Sequence, residues 1–455
     1  MPEFGRLTCL VQHEFFHQYT VDEHTLVCIE KLDGLWEKKW PDYERYHEVF
    51  EEVDRPGTLY LALLLHDAGK GFESDHHERE SARVADHVAD RIGLDEAATD
   101  SLRLVIRHHL TMVQVAQRRD LDDPQVIRQF ADAMETEENL NFLMLHTLAD
   151  SLGTADNLWN GFKDTAQWTL FWNTRAHFQR DPEAAQAEEE QREEIEAQVS
   201  KLLKGCIPDE EVDAHFEQLP ARYFRALPAD EIAEDIELVH QFLELQVLHG
   251  DRMLEPALAW RRDLDRGYAE AGICTWDRPG LFARVSGVLA ACGLNILSAQ
   301  IFTRGDSMGI DRFCLTDART GKLPNSEQRK EFARQLKMAL ASSEDVELDF
   351  SKLPDSGLEY TAVLDEGIPT HIHFDNGASE EFTVLDVESA DHVGLLYALS
   401  KTLTTLGMVI VLARINTEKG GANDSFYLVD EDGGKIGEPA RQQFIESTLR
   451  NVIAM

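Results

Sequence analysis

The sequence predicts a multi-domain protein in which an all-α domain is followed by two small α+β modules. Three observations support this fold class. The chain has 455 residues, more than one hydrophobic core usually serves. Apolar residues recur at helical spacing up to about residue 180, and short strand-like segments surround helices after Arg266. In addition, one stretch of the second half of the chain occurs twice.

The first half of the chain has the periodicity of amphipathic helices, as in LRLVIRHHL at 102–110. Residues 181–204 are acidic and helix-favouring, so we interpret them as a solvated connector helix. Asp181 is its expected N-cap and Pro182 its first helical residue. Further amphipathic helices are predicted over residues 205–265.

The second half changes to the order β-α-β-β, with strands AGICTW, NILSAQIF and DRFCLTD and a predicted helix from Leu281 to Ala291. The stretch that begins DRPGLF at Asp277 recurs as DHVGLL at Asp391. Asp277, Gly280, Leu281, Gly293, Ala299, Ile301 and Thr303 recur as Asp391, Gly394, Leu395, Gly407, Ala413, Ile415 and Thr417. After a one-residue gap, Asp311 and Phe313 match Asp424 and Phe426. The repeat predicts two modules packed side by side, through their sheets.

These changes in periodicity and charge along the chain predict four regions. They are a helical domain over 1–180, an acidic helical connector over 181–265, a first α+β module over 266–345, and a linker strand with the second module over 346–455.

Composition excludes some classes of function. The net charge is -40, and so acidic a surface repels the phosphates of nucleic acid. The N-terminus lacks the pattern of a signal peptide, and no segment is typical of a membrane span. Six cysteines are scattered without a CxxC pair, which predicts reduced thiols and a cytoplasmic protein.

The densest chemistry follows the apolar run TLYLALLLHDAGKG, which ends in His66 and Asp67. Burying these groups is costly unless each finds a partner, and a divalent metal suits imidazole and carboxylate together. Asp150 ends another apolar run and is either a ligand or the cap of the next helix. The remaining candidates are His24, His76, His77, His108 and His109.

The segments YTVDEHTL, LLLHDAGKG, DHHE, HHLTMVQVAQRRD and LADSLGT occur in an order that resembles the HD superfamily of metal-dependent phosphohydrolases. The closer resemblance is to the HD-plus-two-ACT portion of the bifunctional PII uridylyltransferase/uridylyl-removing enzyme family, and it covers essentially the whole chain. The resemblance implies an all-α HD-type domain followed by two βαββαβ ferredoxin-like ACT domains.

The resemblance also implies a site with two divalent metal ions, Mn, Fe or Mg. Its implied ligands are His24, His66, Asp67, His76, His109 and Asp150, with His77 and His108 as bystanders or supporting groups. Asp67 is the implied bridge and, with Lys70, a catalytic residue; the alternative for Lys70 is an ordinary surface lysine. Phosphate contacts are implied for Arg107, Arg118 and Arg119, which could instead pair with Asp120, Asp122 or Asp123.

In the second half, the resemblance implies an amino-acid effector site. Its residues are Asp277, Gly280, Leu281 and Asn295 in the first repeat and Asp391 and Gly394 in the second. Gly280 permits close backbone approach and helix amides receive a carboxylate; Asp277 could accept an amino group or simply cap the helix. The second repeat departs from the pattern at His392, Val393 and Val409, which favours the first repeat for binding.

The implied function is release of UMP from a uridylylated PII-type signalling protein, with glutamine as the signal. No Gly-Ser turn with an Asp-x-Asp pair occurs, so uridylyltransferase activity is not expected from this chain. Two alternatives remain: an HD phosphohydrolase that acts on a free nucleotide or other phosphoester, and a non-catalytic amino-acid sensor with a retained metal site. We expect no nucleic-acid or membrane partner, and a homo-oligomer through the ACT domains is possible.

Overall fold

A computed structural model describes residues 2–11, 19–40, 43–72, 76–154, 159–179, 187–248, 254–264, 266–341, 368–392, 394–418 and 421–454. The chain divides into two compact units, Met1–Arg180 and Asp181–Met455. Asp181, Pro182 and the predicted boundary at 345/346 lie outside the described residues.

Every secondary-structure element that the structure describes in the first unit is a helix. Its helices are α1 (Pro2–Gly5), α2 (Val21–Trp36), α3 (Glu44–Glu51), α4 (Pro56–Leu65), α5 (His77–Ile92), α6 (Glu96–Arg107), α7 (Thr111–Arg118), α8 (Pro124–Met134), α9 (Glu137–Thr154) and α10 (Gly161–Gln179). A 3₁₀ turn, Ala68–Gly71, follows α4.

Helices α4 and α9 both contribute apolar side chains to the interior, and they carry the polar groups of interest at or near their C-terminal ends. Pro56 occupies the first turn of α4, and the apolar run then continues to Leu65. In α9 the residues from Asn139 to Ala149 are all buried. Helices that are apolar on every side belong in the interior, so the groups that end them are carried inside as well.

The second unit begins with the connector helices α11 (Ala187–Leu203), α12 (Asp209–Gln218), α13 (Ala221–Ala226) and α14 (Ala229–Leu248). The prediction that helices continue to residue 265 is wrong, because Ala257–Asp263 form a strand, β1. This strand forms a hairpin with β2 (Tyr268–Trp276), and Ala257 lies opposite Cys274. Pairing across the hairpin determines the conformation of β1. The spacing of apolar residues within one segment does not reveal that pairing.

The remaining elements are α15 (Leu281–Ala291), β3 (Leu294–Thr303), β4 (Met308–Asp317), α16 (Ser326–Leu340), β5 (His371–Asp375), β6 (Thr383–Ala390), α17 (Leu395–Thr405), β7 (Met408–Arg414), β8 (Thr417–Glu418), β9 (Gly421–Asp430) and α18 (Pro439–Ile453). The predicted helix Leu281–Ala291 is confirmed to the residue.

The two repeats share one antiparallel sheet, as the side-by-side prediction required. Among the described residues the strand order is β1-β2-β4-β3-β7-β9-β6-β5, and β8 pairs with β9. Strands β3 and β7 join the repeats, with Ala299 opposite Ala413. In each repeat the described edge strand, β1 or β5, precedes the β-α-β-β unit, whereas a βαββαβ order places it last. The α+β class is confirmed, and the difference concerns only chain order at the edge.

Helices cover the sheet on both faces in the first repeat. Side chains of α15, such as Val285 and Leu289, pack with Phe313 of β4 in one core. Connector side chains, such as Phe242, pack with Ile310 on the opposite face. Among the described residues, no helix is both long and apolar enough to cross a membrane.

Candidate metal centre

Four helices of the first unit bring their polar ends to one buried place. His24 lies on α2, His66 and Asp67 follow α4, and His109 follows α6; each is at most 2% exposed. Asp150 lies near the end of α9, with its side chain 17% exposed. Groups that are distant in sequence therefore share one small polar centre within the helical core.

Asp67 directs its two carboxylate oxygens to different histidines. Its Oδ2 lies 3.4 Å from Nε2 of His66 and 3.9 Å from Nε2 of His24. Its Oδ1 lies 3.6 Å from Nε2 of His77. On the other side of His24, its Nε2 lies 3.0 Å from Oδ1 of Asp150. A carboxylate placed in this way can bridge two ions.

Three histidines are fixed through the same ring nitrogen. Nδ1 of His66 donates to the carbonyl of Leu63 at 2.8 Å, and Nδ1 of His109 donates to that of Ile106 at 2.7 Å. Nδ1 of His24 lies 3.2 Å from the carbonyl of Gly153. A backbone acceptor on Nδ1 leaves the lone pair on Nε2, and this arrangement is typical of metal-binding histidines.

The donor atoms fit a divalent metal. Three groups of described residues have donor atoms within 4.8 Å of one another. Two of them share Asp67, one with His24 and His66 and one with His77 and His109, and the third consists of His24, Cys28 and Asp150. Among the described residues, Nε2 of His66 and Oδ1 of Asp67 are buried without a hydrogen-bond partner. A metal ion would satisfy both atoms, because imidazole and carboxylate are its usual ligands.

Burial and close charges tune these groups. Burial raises the pKa of Asp67, but His66 and Lys70 outweigh it and hold that pKa well below the ordinary value. Burial lowers the pKa of His66, yet the carboxylates of Asp67 and Asp150 raise it to about 9. Burial and the nearby His66 lower the pKa of His109 to about 4. The carboxylate is thus ionised and His109 neutral near pH 7, as metal ligands must be, whereas His66 is protonated without a metal and would lose that proton when a metal binds.

Models of known domain families match parts of both units of the chain. The HD domain family matches residues 21–137, which include His24, His66, Asp67 and His109. The ACT domain family matches residues 273–331, and an ACR9-like, ACT-like domain matches residues 371–455. The chain contains an HD domain followed by ACT domains. HD domains are metal-dependent, and the His and Asp groups described above could hold a metal.

The whole chain is similar to one group of larger proteins. It is 31% identical to a bifunctional uridylyltransferase/uridylyl-removing enzyme of Ruegeria pomeroyi over 100% of this chain and 49% of the relative. It is 30% identical to the enzymes of the same name from Cereibacter sphaeroides and Phenylobacterium zucineum. Those matches cover 100% and 99% of this chain and 47% and 46% of the relatives. The chain spans about half the length of these relatives and resembles their HD-plus-ACT portion.

Within the HD domain, His77 rather than His76 lies at the candidate metal centre. The structure puts His77, the expected bystander, against Asp67 and in one group with His109. The side chain of His76 is 62% exposed, and its Nδ1 lies 3.6 Å from Glu78. The two histidines differ because α5 begins at His77 and His76 precedes the helix. Of the two side chains, only that of His77 faces Asp67. We therefore replace His76 by His77 in the candidate ligand set.

Sequence reasoning missed His146 of the HD domain. Its ring is buried, with its centroid 5.1 Å from that of His66 and 6.0 Å from that of His109. Neither ring nitrogen has a hydrogen-bond partner among the described residues. His146 lies four residues before Asp150 in LHTLAD, so the two share one face of α9, and that spacing was the available signal.

The predicted catalytic lysine and phosphate-binding arginines differ in how far they are buried and in how near they lie to the candidate metal centre. Lys70 donates to Oδ2 of Asp67 at 2.8 Å, so its ammonium faces the centre. Arg107 is the exposed last residue of α6, two positions before His109. Arg118 ends α7, and Arg119 follows it with partial burial.

Apart from Asn295, the predicted effector residues lie at or just before the first turn of corresponding helices in the ACT domains. Gly280 and Gly394 precede α15 and α17 with φ of 80° and 85°, which glycine adopts without strain. Asp277 is exposed and accepts a hydrogen bond from Thr303 at 2.8 Å. Leu281 is buried in the first turn of α15, Asn295 lies on β3, and Asp391 lies just before Gly394.

Proposed function

We propose that this protein is a metal-dependent phosphodiester hydrolase whose activity is regulated by a small amino acid. The observation that carries the proposal is the pair of ligand groups that share Asp67. Two ions held by one carboxylate would lie side by side, and such pairs serve the hydrolysis of phosphate esters. The ACT domains that follow supply a place for the amino acid.

The relatives suggest the particular reaction. Their names include uridylyl removal, and we propose that this chain likewise cleaves a uridylyl-tyrosine phosphodiester on a PII-type signalling protein and releases UMP. Glutamine is the proposed effector. Its proposed receptor is the loop with Asp277 and Gly280, because the first repeat retains the Asp-Arg-Pro-Gly sequence that the second has lost.

In this proposal the ions, when bound, supply an activated water and charge neutralisation at the phosphate. The protein's part follows from its geometry. His24, His66 and His109 present Nε2 because their Nδ1 atoms are held by backbone carbonyls. Asp67 fixes the spacing of the two ligand groups. Lys70 places a positive charge beside Asp67, where it can attract the substrate phosphate.

The reaction can be tested directly. Purified protein is incubated with uridylylated PII, Mn²⁺ and glutamine, and released UMP is measured. We expect release that depends on the metal and increases with glutamine. Release no greater than that from a His66→Ala, Asp67→Ala variant would rule out the proposed reaction. Activity only on free nucleotides in a phosphoester panel would assign the centre to another substrate.

Metal analysis separates an enzyme from an amino-acid sensor with an inert site. We expect two tightly held divalent ions per chain in the purified protein. A chain that binds glutamine but retains no metal after dialysis into metal-free buffer would be a sensor.

A further inference from the structure

A groove in the second unit is not accounted for by the proposed reaction. It has a volume of about 560 Å³ and lies between α14, the edge strand β1 and α16. We call it the α14–α16 groove and define it by Gln241, Trp260, Ser326, Arg329 and Lys330. Its volume is in the range of small-molecule sites.

The lining of the α14–α16 groove is basic, although the chain as a whole is strongly acidic. Of the twelve lining residues that the structure describes, three are Arg or Lys and none is Asp or Glu. Two of the cations have nearby acids: Lys337 contacts Glu255 at 2.6 Å, and Lys330 contacts Glu327 at 3.4 Å in an exposed pair. Exposed pairs contribute little, so they leave Lys330 available to a ligand.

Arg329 is the exception among these cations. Its Nε is buried and has no hydrogen-bond partner among the residues that the structure describes. It lies 6.0 Å from the centroid of the Trp260 ring. In a chain with 84 acidic and 44 basic residues, an arginine without a carboxylate beside it calls for an explanation. An anionic ligand would provide its hydrogen bonds.

The second repeat shows that this chemistry is not needed for the fold. Helix α18 (Pro439–Ile453) corresponds to α16 (Ser326–Leu340) over its full length, with an offset of 113 residues. At the positions of Arg329, Lys330 and Ala333 it has Gln442, Gln443 and Glu446. The buried positions Leu336 and Leu449 are retained. Arg329 and Lys330 thus belong to the first repeat alone, whereas the third cation, Lys337, has a basic counterpart in Arg450 and the packing residues are common to both.

We propose that the α14–α16 groove binds an organic anion with a flat ring, such as a nucleoside monophosphate. The ring would pack against Trp260, and the anionic group would accept hydrogen bonds from Arg329 and Lys330. Gln241 and Ser326 offer neutral polar contacts at the walls. All lining residues belong to the second unit, so this site is independent of the metal centre and of the proposed reaction.

Hydrogen exchange of the full chain, measured by mass spectrometry, can locate the ligand. UMP is the probe, with uridine and inorganic phosphate as its two halves, and EDTA is present to keep metal from the HD domain. We expect UMP to slow exchange in Ala257–Asp263 and Ser326–Leu340 more than either half does. An equal effect of phosphate alone would overturn the requirement for a ring, and no effect of any probe would overturn the site.

Matched substitutions test the residues. Arg329→Gln copies the second repeat, and we expect it to weaken UMP binding at least about tenfold by titration calorimetry, because charge-assisted hydrogen bonds are lost. Trp260→Leu should weaken UMP without changing phosphate. Gln443→Ala, at the position on α18 that matches Lys330, is the control and should bind as the unaltered chain does. Unchanged affinity in Arg329→Gln, with an unchanged melting temperature, would refute the proposal.

Discussion

Asp67 is the side chain that the two candidate ligand groups share, and its environment explains how it tolerates burial. One oxygen faces His24, His66 and Lys70, and the other faces His77. An ionised carboxylate that is 2% exposed needs such partners, because burial without them is strongly unfavourable. We expect a loss at Asp67 to affect both groups, whereas a loss of one histidine affects one.

Substitution of the adjacent histidines should distinguish their roles. His77→Ala removes a donor that faces Asp67, so we expect the chain to lose one of two bound ions and most of its hydrolytic activity. His76→Ala removes an exposed ring and should leave both nearly unchanged. Metal content by mass spectrometry and UMP release are the measurements. The reverse result, with His76 essential, would restore the assignment made from sequence.

Replacement of a glycine by alanine should destabilise the protein at Gly280, before α15, and stabilise it at Gly57, within α4. At Gly280 an added Cβ would meet only Thr404, at 3.7 Å, so the cost of Gly280→Ala is the positive φ, about 1–2 kcal/mol. Gly57 lies within α4 with open space around it, and Gly57→Ala should stabilise by up to about 1 kcal/mol. Chemical denaturation measures both, and equal shifts would contradict this account.

At the residue scale, the sequence was informative where polar groups end long apolar runs. His66, Asp67 and Asp150 were found in this way, and the structure brings them together with His24 and His109. The choice between His76 and His77 depends on where α5 begins, and adjacent identical residues carry no signal of phase. Asp67 as the bridge came from resemblance to a family, and the opposed directions of its two oxygens support it.

At the scale of elements, a buried polar network joins the connector helices to the first ACT sheet. The hydroxyl of Tyr223 on α13 lies 2.9 Å from Nε2 of His215 and donates to Asp235 at 2.8 Å. Arg312 of β4 pairs with Asp235 at 3.0 Å. Removing one partner of a buried network leaves the others unsatisfied, so these helices and the sheet should unfold together.

This network predicts acid sensitivity of the second unit. Burial and the nearby Arg304 lower the pKa of His215 to about 3. The folded pKa of His215 is below the unfolded value of about 6.5. This difference therefore does not lower the free energy of unfolding above about pH 6.5, and it lowers that free energy as pH drops from about 6.5 towards 3. The loss is at most about 1.4 kcal/mol per pH unit. Burial raises the pKa of Asp235 to about 6, which opposes this trend in part.

The contribution of His215 is therefore read from a difference. Denaturation curves of the unaltered chain and of His215→Gln are compared between pH 7 and pH 4, and the gap between them should close as pH falls. His87→Gln, which alters an exposed histidine, is the control and should run parallel to the unaltered chain. A constant gap for His215→Gln would show that this histidine does not titrate with folding.

The elements of the repeats were predictable to different degrees. Helix α15 was placed to the residue because a glycine precedes it and an apolar run fills it. Strand β1 was mistaken for helix because its conformation depends on pairing with β2. The periodicity of a single segment carries no information about such a pairing partner. Strands at a sheet edge receive half the pairing of central strands, so local pattern constrains them least.

At the scale of the whole molecule, the two units have separate hydrophobic cores. The core of the first unit includes Leu63, Phe142 and Phe171, and those of the second include Phe313 and Phe242. The candidate metal ligands all belong to the first unit and the predicted effector residues all belong to the second. The division between the units lies before the change from helical periodicity to strands, because the connector helices belong to the second unit. Ligands of the two kinds should therefore stabilise different parts of the chain.

Removal of metal should loosen the first unit selectively. A ligand that binds only the folded state stabilises it, so EDTA withdraws that contribution and leaves buried His66 and Asp67 without their proposed partner. We expect hydrogen exchange to rise in α2, α4 and α9 and to stay constant in β2 and β4. The His66→Ala, Asp67→Ala variant should show no response to EDTA, since it has no metal to lose. Faster exchange in both units, or a response in that variant, would mean that chelation acts elsewhere than at this centre.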